Sequence, residues 1–527
     1  MRMIGSLPSF RFSRSPGLSL AALFVVLWLA YEAAQLVLAG AVDTLVMTGM
    51  VVVAGAIVIA ILNDWQRGLY LFLAWVLFED LFRKYLGNNM AIFFAKDILV
   101  LVIYLSFFIS RRAKRAKAFR PPFLIPLLLF FWLGVIQVFN PNSTSIFFGL
   151  LGTKIYFLYV PLLYVGYAFL DDEDDLRKLL TFNCILVMCV AGLGIAQAIL
   201  GPSFLNPHTL QDDIRDAASL YRSSPITGQI SYRPTSVFVS TGRFSNFVIV
   251  SWVLVLGFGG YLLLRARRNR WLAFMAIGVV GIAAIMSTSR GVFLWSIGSG
   301  MICLAAFLWG APWRQGEVRR VLRTIQRTVL VAGLALTAMV IIFPEQIGSR
   351  FALYSETLSP DSPASELVYR ARDYPLKNFL MAFQYEHWIT GYGIGTSSLG
   401  TQYVIRIFHA QPMGVLVESG YGQILLELGI FGLILWIVLS ISIIFPAWKI
   451  VKSLRQTPWF PIAFCIFWYA FLLMIPMSYI GFVVYQDYVM NAYLWLMLGI
   501  LFRLPEMARK SAMAQISQGE AVTSGQA

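Results

Sequence analysis

The chain has 527 residues, 59% hydrophobic and only 13% charged. Soluble proteins carry roughly twice that charge, so the composition excludes a soluble globular enzyme and predicts a polytopic membrane protein. The net charge of +15 would suggest nucleic acid in a soluble domain; here it sits in loops between apolar runs, and no nucleic-acid partner is expected.

Residues 1–17 read as a cytoplasmic N-terminus carrying Arg2, Arg11 and Arg14. The first apolar run, 18–40, is too long for a secretory leader and has no clear cleavage pattern, so it reads as a membrane helix. Apolar runs follow at 43–62, 66–82, 91–110, 122–139, 150–170 and 178–200. The next are at 244–264, 271–287, 290–310 and 328–344, and the last at 421–447, 458–480 and 485–503. The expected fold class is therefore an all-α polytopic membrane protein with about 12–14 transmembrane helices. They fall in three groups, 18–200, 244–344 and 418–503.

Lysine and arginine mark the cytoplasmic side. Alternation places Arg111, Arg112, Lys114, Arg115, Lys117 and Arg120 with the N-terminal arginines. Arg265, Arg267, Arg268, Arg270, Arg314, Lys449 and Lys452 fall on the same side. Both termini are then cytoplasmic, and the long polar segments 201–243 and 345–417 lie outside. The tail, 504–527, is small and polar and reads as disordered. The four cysteines sit in apolar runs at no metal spacing and read as small apolar residues. The acidic run Asp171-Asp172-Glu173-Asp174-Asp175 precedes a helix, where acidic residues favour the N-terminus; no metal is assigned to it.

The outside loops are rich in arginine: Arg215, Arg222, Arg233 and Arg243 in the first; Arg350, Arg370, Arg372, Lys377 and Arg406 in the second. The plain alternative for each is a salt bridge within a folded loop. Residues 365–389 of the second loop are helix-forming and aromatic, with Pro375 breaking or restarting a helix. Leu367, Phe379, Phe383 and Trp388 would lay that helix on the membrane surface. Gly391-Tyr392-Gly393-Ile394-Gly395 makes a turn.

Charges within spans are costly and mark functional candidates. Glu79, Asp80, Lys96, Asp97 and Lys154 fall in the outer halves of their spans, where several can pair with one another. Arg290 stands in Ser287-Thr288-Ser289-Arg290-Gly291, between two apolar runs with almost no loop. A guanidinium among hydroxyls suits a phosphate or diphosphate; a snorkelling arginine at a helix hairpin is the alternative. Arg233-Pro234-Thr235-Ser236 and Thr241-Gly242-Arg243-Phe244 precede the span at 244 in the same manner. Finally, Glu418-Ser419-Gly420 opens a long apolar run in which Gly429 and Gly432 would let a neighbouring helix approach. Arginine clusters at the outer ends of spans suit a lipid-linked diphosphate neutralised without metal.

Taken together, the segments 233–244 and 289–291, Arg372-Asp373-Tyr374-Pro375-Leu376, Gly391 to Gly395, and Glu418 to Gly432 resemble the bacterial O-antigen ligase and polymerase superfamily of membrane glycosyltransferases. The N-terminal spans match only as generic helices. The resemblance implies an inverting, metal-independent enzyme of the inner membrane, without cofactor, whose helices surround an outward-facing cavity and whose long loops, 201–243 and 345–417, are periplasmic. It implies an undecaprenyl-diphosphate-linked glycan as donor, with a flippase and a chain-length regulator as candidate partners. Ligases of the family carry a histidine where this chain has Glu418, which favours a polymerase of exopolysaccharide or O-antigen repeat units over a ligase. A flippase or transporter is the third reading, against which the chain has no internal repeat.

The expected catalytic residues are Arg290 and Glu418, the latter as base or sugar partner. Arg233, Arg243, Arg370, Arg372, Lys154 and His409 are the expected diphosphate- or glycan-binding residues.

Overall fold

The computed structural model describes residues 42–86, 90–113, 119–207, 220–265, 270–312, 315–415, 417–481 and 483–524. The expected span at 18–40, Arg2, Arg11, Arg14, Lys114, Arg115, Lys117, Arg215, Arg267, Arg268 and Arg314 lie outside them.

The first helices are α1 (Val42–Asn63), α2 (Trp65–Tyr85), α3 (Met90–Ala113), α4 (Leu124–Val138), α5 (Ile146–Phe157), α6 (Leu162–Phe169) and α7 (Glu173–Leu200). A hairpin of β1 (Tyr221–Ser223) and β2 (Ile230–Tyr232) follows. Then come α8 (Thr241–Arg265), α9 (Arg270–Met286), α10 (Arg290–Gly310), α11 (Gln315–Ile342) and α12 (Pro344–Leu358). The last group is α13 (Tyr374–Met381), α14 (Thr401–Phe408), α15 (Gly420–Ser453), α16 (Phe460–Leu472), α17 (Val483–Gln486) and α18 (Tyr488–Ser524).

The protein is an all-α polytopic membrane protein. Among the described residues, 8 helical stretches are long and apolar enough to cross a membrane, and the expected span at 18–40 lies outside those residues. Helices α4 and α9 are apolar but only 15 and 17 residues long, and α2 carries Glu79, Asp80, Arg83 and Lys84 in its last turns. The tail also departs from expectation: α18 continues as helix to Ser524. Its Ala, Met, Lys, Glu and Gln residues are strong helix formers, so low hydrophobicity there does not mean absence of helix.

The acidic run caps α7 as its sequence suggests. Asp172 accepts from the Asp175 amide at 2.9 Å, and Asp175 reaches back to the Asp172 amide, a reciprocal cap.

The chain divides into two compact units, one drawn from Met1–Leu73 and Asp97–Ala116, the other from Ala74–Lys96 and Lys117–Ala527. In the first, Trp65 meets Phe107 edge-on at 5.1 Å and Ser106 donates to the Ile61 carbonyl at 2.8 Å. In the second, the largely buried α16 packs against α8, α15 and α18. Helices α6 and α18 touch backbone to backbone: a Cβ on Gly166 would come within 2.2 Å of the Leu496 carbonyl oxygen, a small-residue crossing of the kind membrane helices use.

Residues 367–384 are helical without a gap but not uniformly α-helical. A π turn at Tyr369–Asp373 precedes α13, Pro375 sits in the first turn of α13, and a 3-10 turn at Ala382–Gln384 ends it.

Candidate functional site

The site begins with a short hairpin. Arg222 of β1 pairs with Ser231 of β2. Residues two apart on a strand share a face, so Arg233, just past β2, lies on the face that carries Ser231 and its partner Arg222. The hairpin turn is held from outside: the Glu356 carboxylate accepts from the amides of Ile226 at 2.7 Å and Thr227 at 3.2 Å.

Arg290 comes from a different element. The turn 287–289 joins α9 to α10; Thr288 adopts a positive φ of 55° and Ser289 caps α10 by accepting from the Val292 amide. The Thr288 hydroxyl donates to the Tyr232 carbonyl at 3.0 Å. Arg350 of α12 completes the join. Its guanidinium, buried at 1% exposure, donates to the carbonyls of Tyr232 (3.0 Å) and Met286 (3.2 Å) and to the Thr288 hydroxyl (3.1 Å). It also reaches the Ala198 and Gln346 carbonyls. Beneath it Ala198, Met286 and Ile347 form an apolar floor. One buried guanidinium thus fixes the residue before Arg233 and the turn before Arg290.

The 359–374 segment supplies the third part. One carboxylate oxygen of Glu366 contacts both Arg290 and Arg370, each at 3.1 Å. The Arg370 guanidinium lies over the Tyr374 ring, 4.9 Å from its centre, and the Tyr374 hydroxyl donates to the Glu418 carboxylate. A continuous chain of contacts therefore runs from Arg290 through Glu366, Arg370 and Tyr374 to Glu418. Ser419 caps α15 by accepting from the Gly422 amide at 3.3 Å, leaving Glu418 exposed just before the helix.

The electrostatics of the cluster are one-sided. Burial, then the guanidiniums of Arg233, Arg290 and Arg370, push the Arg222 pKa down to about 10. Burial and Arg290 lower that of Arg233. Glu366 is held below the usual carboxylate range: burial opposes its charge, but Arg370 and Arg290 outweigh it. Four guanidiniums drawn from three segments feel one another, which suits a multiply charged anion.

The turn Gly391–Gly395 has a different place. Helix α15 breaks at Gly429, where φ is 73° and ψ −175°, and residues 389–393 dock into the break. The Tyr392 amide donates to the Leu426 carbonyl at 2.7 Å, that of Gly393 to Glu427 at 3.1 Å, and that of Ile430 to Ile389 at 3.1 Å. Gln137 of α4 donates to the Thr390 carbonyl at 2.8 Å. Gly429 therefore admits a loop, where the sequence suggested a helix. Beside the break, the buried Glu427 carboxylate accepts from the hydroxyls of Tyr156 and Ser398, both at 2.8 Å, and from the Ser397 amide at 2.9 Å.

Several expected site residues lie elsewhere. Arg243 forms a buried ion pair with Asp80 at 2.7 Å and reaches the Tyr488 hydroxyl at 3.2 Å. Its position at the start of a span, which suggested a ligand, instead answers a charge in α2. Asp80 also holds Arg83 at 3.0 Å, and Glu79 holds Lys96 at 3.0 Å, the mutual pairing weighed for these charges. Lys154 sits over the rings of Phe93 and Phe94 at 4.5 and 4.7 Å. Arg372 is exposed and lies 3.9 Å from Asp373. His409 is exposed and ends α14 in a left-handed conformation.

Arg222, Arg350, Glu366, Tyr374 and Glu427 were not singled out as site residues by the sequence. A pair of short strands with Arg222 and Arg233 flanking a Pro-Ile-Thr-Gly turn is the one local signal that could have joined two of them. Among the described residues no group of three or more His, Cys, Asp and Glu side chains is placed to hold a metal. No protein-family model matches the chain, and no curated protein matches it.

Proposed function

We propose that the protein polymerises undecaprenyl-diphosphate-linked oligosaccharide repeat units at the periplasmic face of a bacterial inner membrane, both termini being cytoplasmic. The observation that supports this most is the arginine cluster at the end of a membrane helix, joined through Tyr374 to an exposed carboxylate. In this reading Arg222, Arg233, Arg290 and Arg370 bind the diphosphate of the donor. Glu418 orients an acceptor sugar hydroxyl and takes its proton. The hydroxyl oxygen bonds to the anomeric carbon of the donor sugar with inversion, the bond from that carbon to the diphosphate oxygen breaks, and the electron pair leaves with undecaprenyl diphosphate. The guanidiniums stabilise that leaving charge. The energy of the phosphate–sugar bond drives the step, so no nucleotide sugar is required.

Arg290→Ala tests the donor site. The expected outcome is loss of polymer with the protein still present in the membrane; full-length polymer in a strain that expresses this variant stably would contradict the diphosphate role. Glu418→Gln is expected to slow transfer by about a hundredfold or more; undiminished transfer would reduce Glu418 to a helix-flanking residue.

A further inference from the structure

Glu366 occupies an unusual position for a carboxylate in a site proposed to bind an anion. The inference drawn from it rests on the diphosphate reading above. The cluster divides into two pairs by origin. Arg222 and Arg233 project from one face of the hairpin. Arg290 and Arg370 come from a helix start and the π turn, and one Glu366 oxygen contacts both at 3.1 Å. Two guanidiniums converging on a single oxygen is the geometry a phosphoryl oxygen would also receive. The lowered pKa of Arg222, which follows from burial and its three cationic neighbours, agrees with positive charge that Glu366 does not fully offset.

We propose that the site has two phosphoryl seats and that, without ligand, the Glu366 carboxylate stands in for the phosphoryl group of one of them. The Arg222–Arg233 seat takes the first phosphoryl group. The second displaces Glu366 from Arg290 and Arg370 into solvent. Glu366 can leave at little cost, because its side chain is 36% exposed. It lies four residues before Arg370 and eight before Tyr374, so its release loosens the segment that also holds the Tyr374–Glu418 contact. Binding of the diphosphate is thereby coupled to freeing Glu418 for the acceptor hydroxyl.

The test uses the purified full-length chain in detergent with three probes: farnesyl diphosphate, inorganic phosphate and phosphatidylglycerol. Glu366→Gln keeps the shape of the side chain and removes the competing charge. It is expected to bind farnesyl diphosphate roughly five- to tenfold more tightly than the wild type, with phosphate affinity unchanged. Arg222→Ala is expected to weaken both. Unchanged farnesyl diphosphate affinity in Glu366→Gln, with wild-type binding intact, would overturn the stand-in role and leave the diphosphate reading in place. Absence of farnesyl diphosphate binding in both proteins would overturn both. An equal gain for phosphate or phosphatidylglycerol would show a general anion site and overturn the two seats.

Discussion

Arg350 touches no proposed substrate, yet it holds the Tyr232 carbonyl and the Thr288 hydroxyl together, and with them the backbone that carries Arg233 and Arg290. Removing it would leave buried carbonyls unsatisfied, at about 1–3 kcal/mol each. Arg350→Met is therefore expected to lower the melting temperature in detergent and to impair transfer, and a variant with wild-type melting and activity would contradict this role. Arg222 should behave in the opposite sense. Its folded-state pKa is lowered to about 10 by burial and by Arg233, Arg290 and Arg370, so its charge costs stability throughout the neutral range, a cost that begins to fall only above that value. Arg222→Met should raise the melting temperature at neutral pH while weakening anion binding; a variant less stable than wild type at neutral pH would contradict the crowding of positive charge. At this scale the sequence was partly legible. Arg233 and Arg290 stand beside spans in the sequence, and the structure groups them with Arg370 of the second loop. Arg243 looked equivalent to them, but its partner Asp80 lies 163 residues away, a pairing no local pattern reveals. The partners of Arg350 and the Arg290 contact of Glu366 were hidden for the same reason.

The break in α15 is the element on which the second loop is seated. The φ and ψ of Gly429 lie in a region that only glycine occupies comfortably, and any other residue costs about 1–3 kcal/mol there. A Cβ would also come within 2.3 Å of the Ile389 carbonyl oxygen. Gly429→Ala should expel the 389–393 loop and destabilise the protein by roughly 3 kcal/mol or more. Faster proteolysis within 385–400 would report the expelled loop; an unchanged cleavage pattern would show that α15 can close without it. Glu427 is the companion test, since its carboxylate accepts from three donors of α5 and the 395–398 segment. Hydropathy found α15 because its apolar run is long. It could not find the break, because a glycine reads the same in a continuous helix as in a kinked one, and the tertiary hydrogen bonds that fill the kink come from a loop about 40 residues earlier in sequence.

For the whole molecule, membrane residence was legible from composition alone, since 13% charge in 527 residues cannot clothe a soluble surface of that size. The lengths of individual helices were less so: 15- and 17-residue apolar helices and a charged α2 give runs similar to longer ones in a window of hydropathy. We propose that this membrane protein joins lipid-linked repeat units on the outer face through its arginine cluster. The most direct measurement is the lipid-linked glycan profile of cells whose only copy of the chain is Arg290→Ala, with sidedness probed in spheroplasts. Single repeat units are expected to accumulate on the outer face. Long lipid-linked chains on that face would instead indicate a ligase using the same donor site, and single units held on the cytoplasmic face would indicate a flippase and contradict the account.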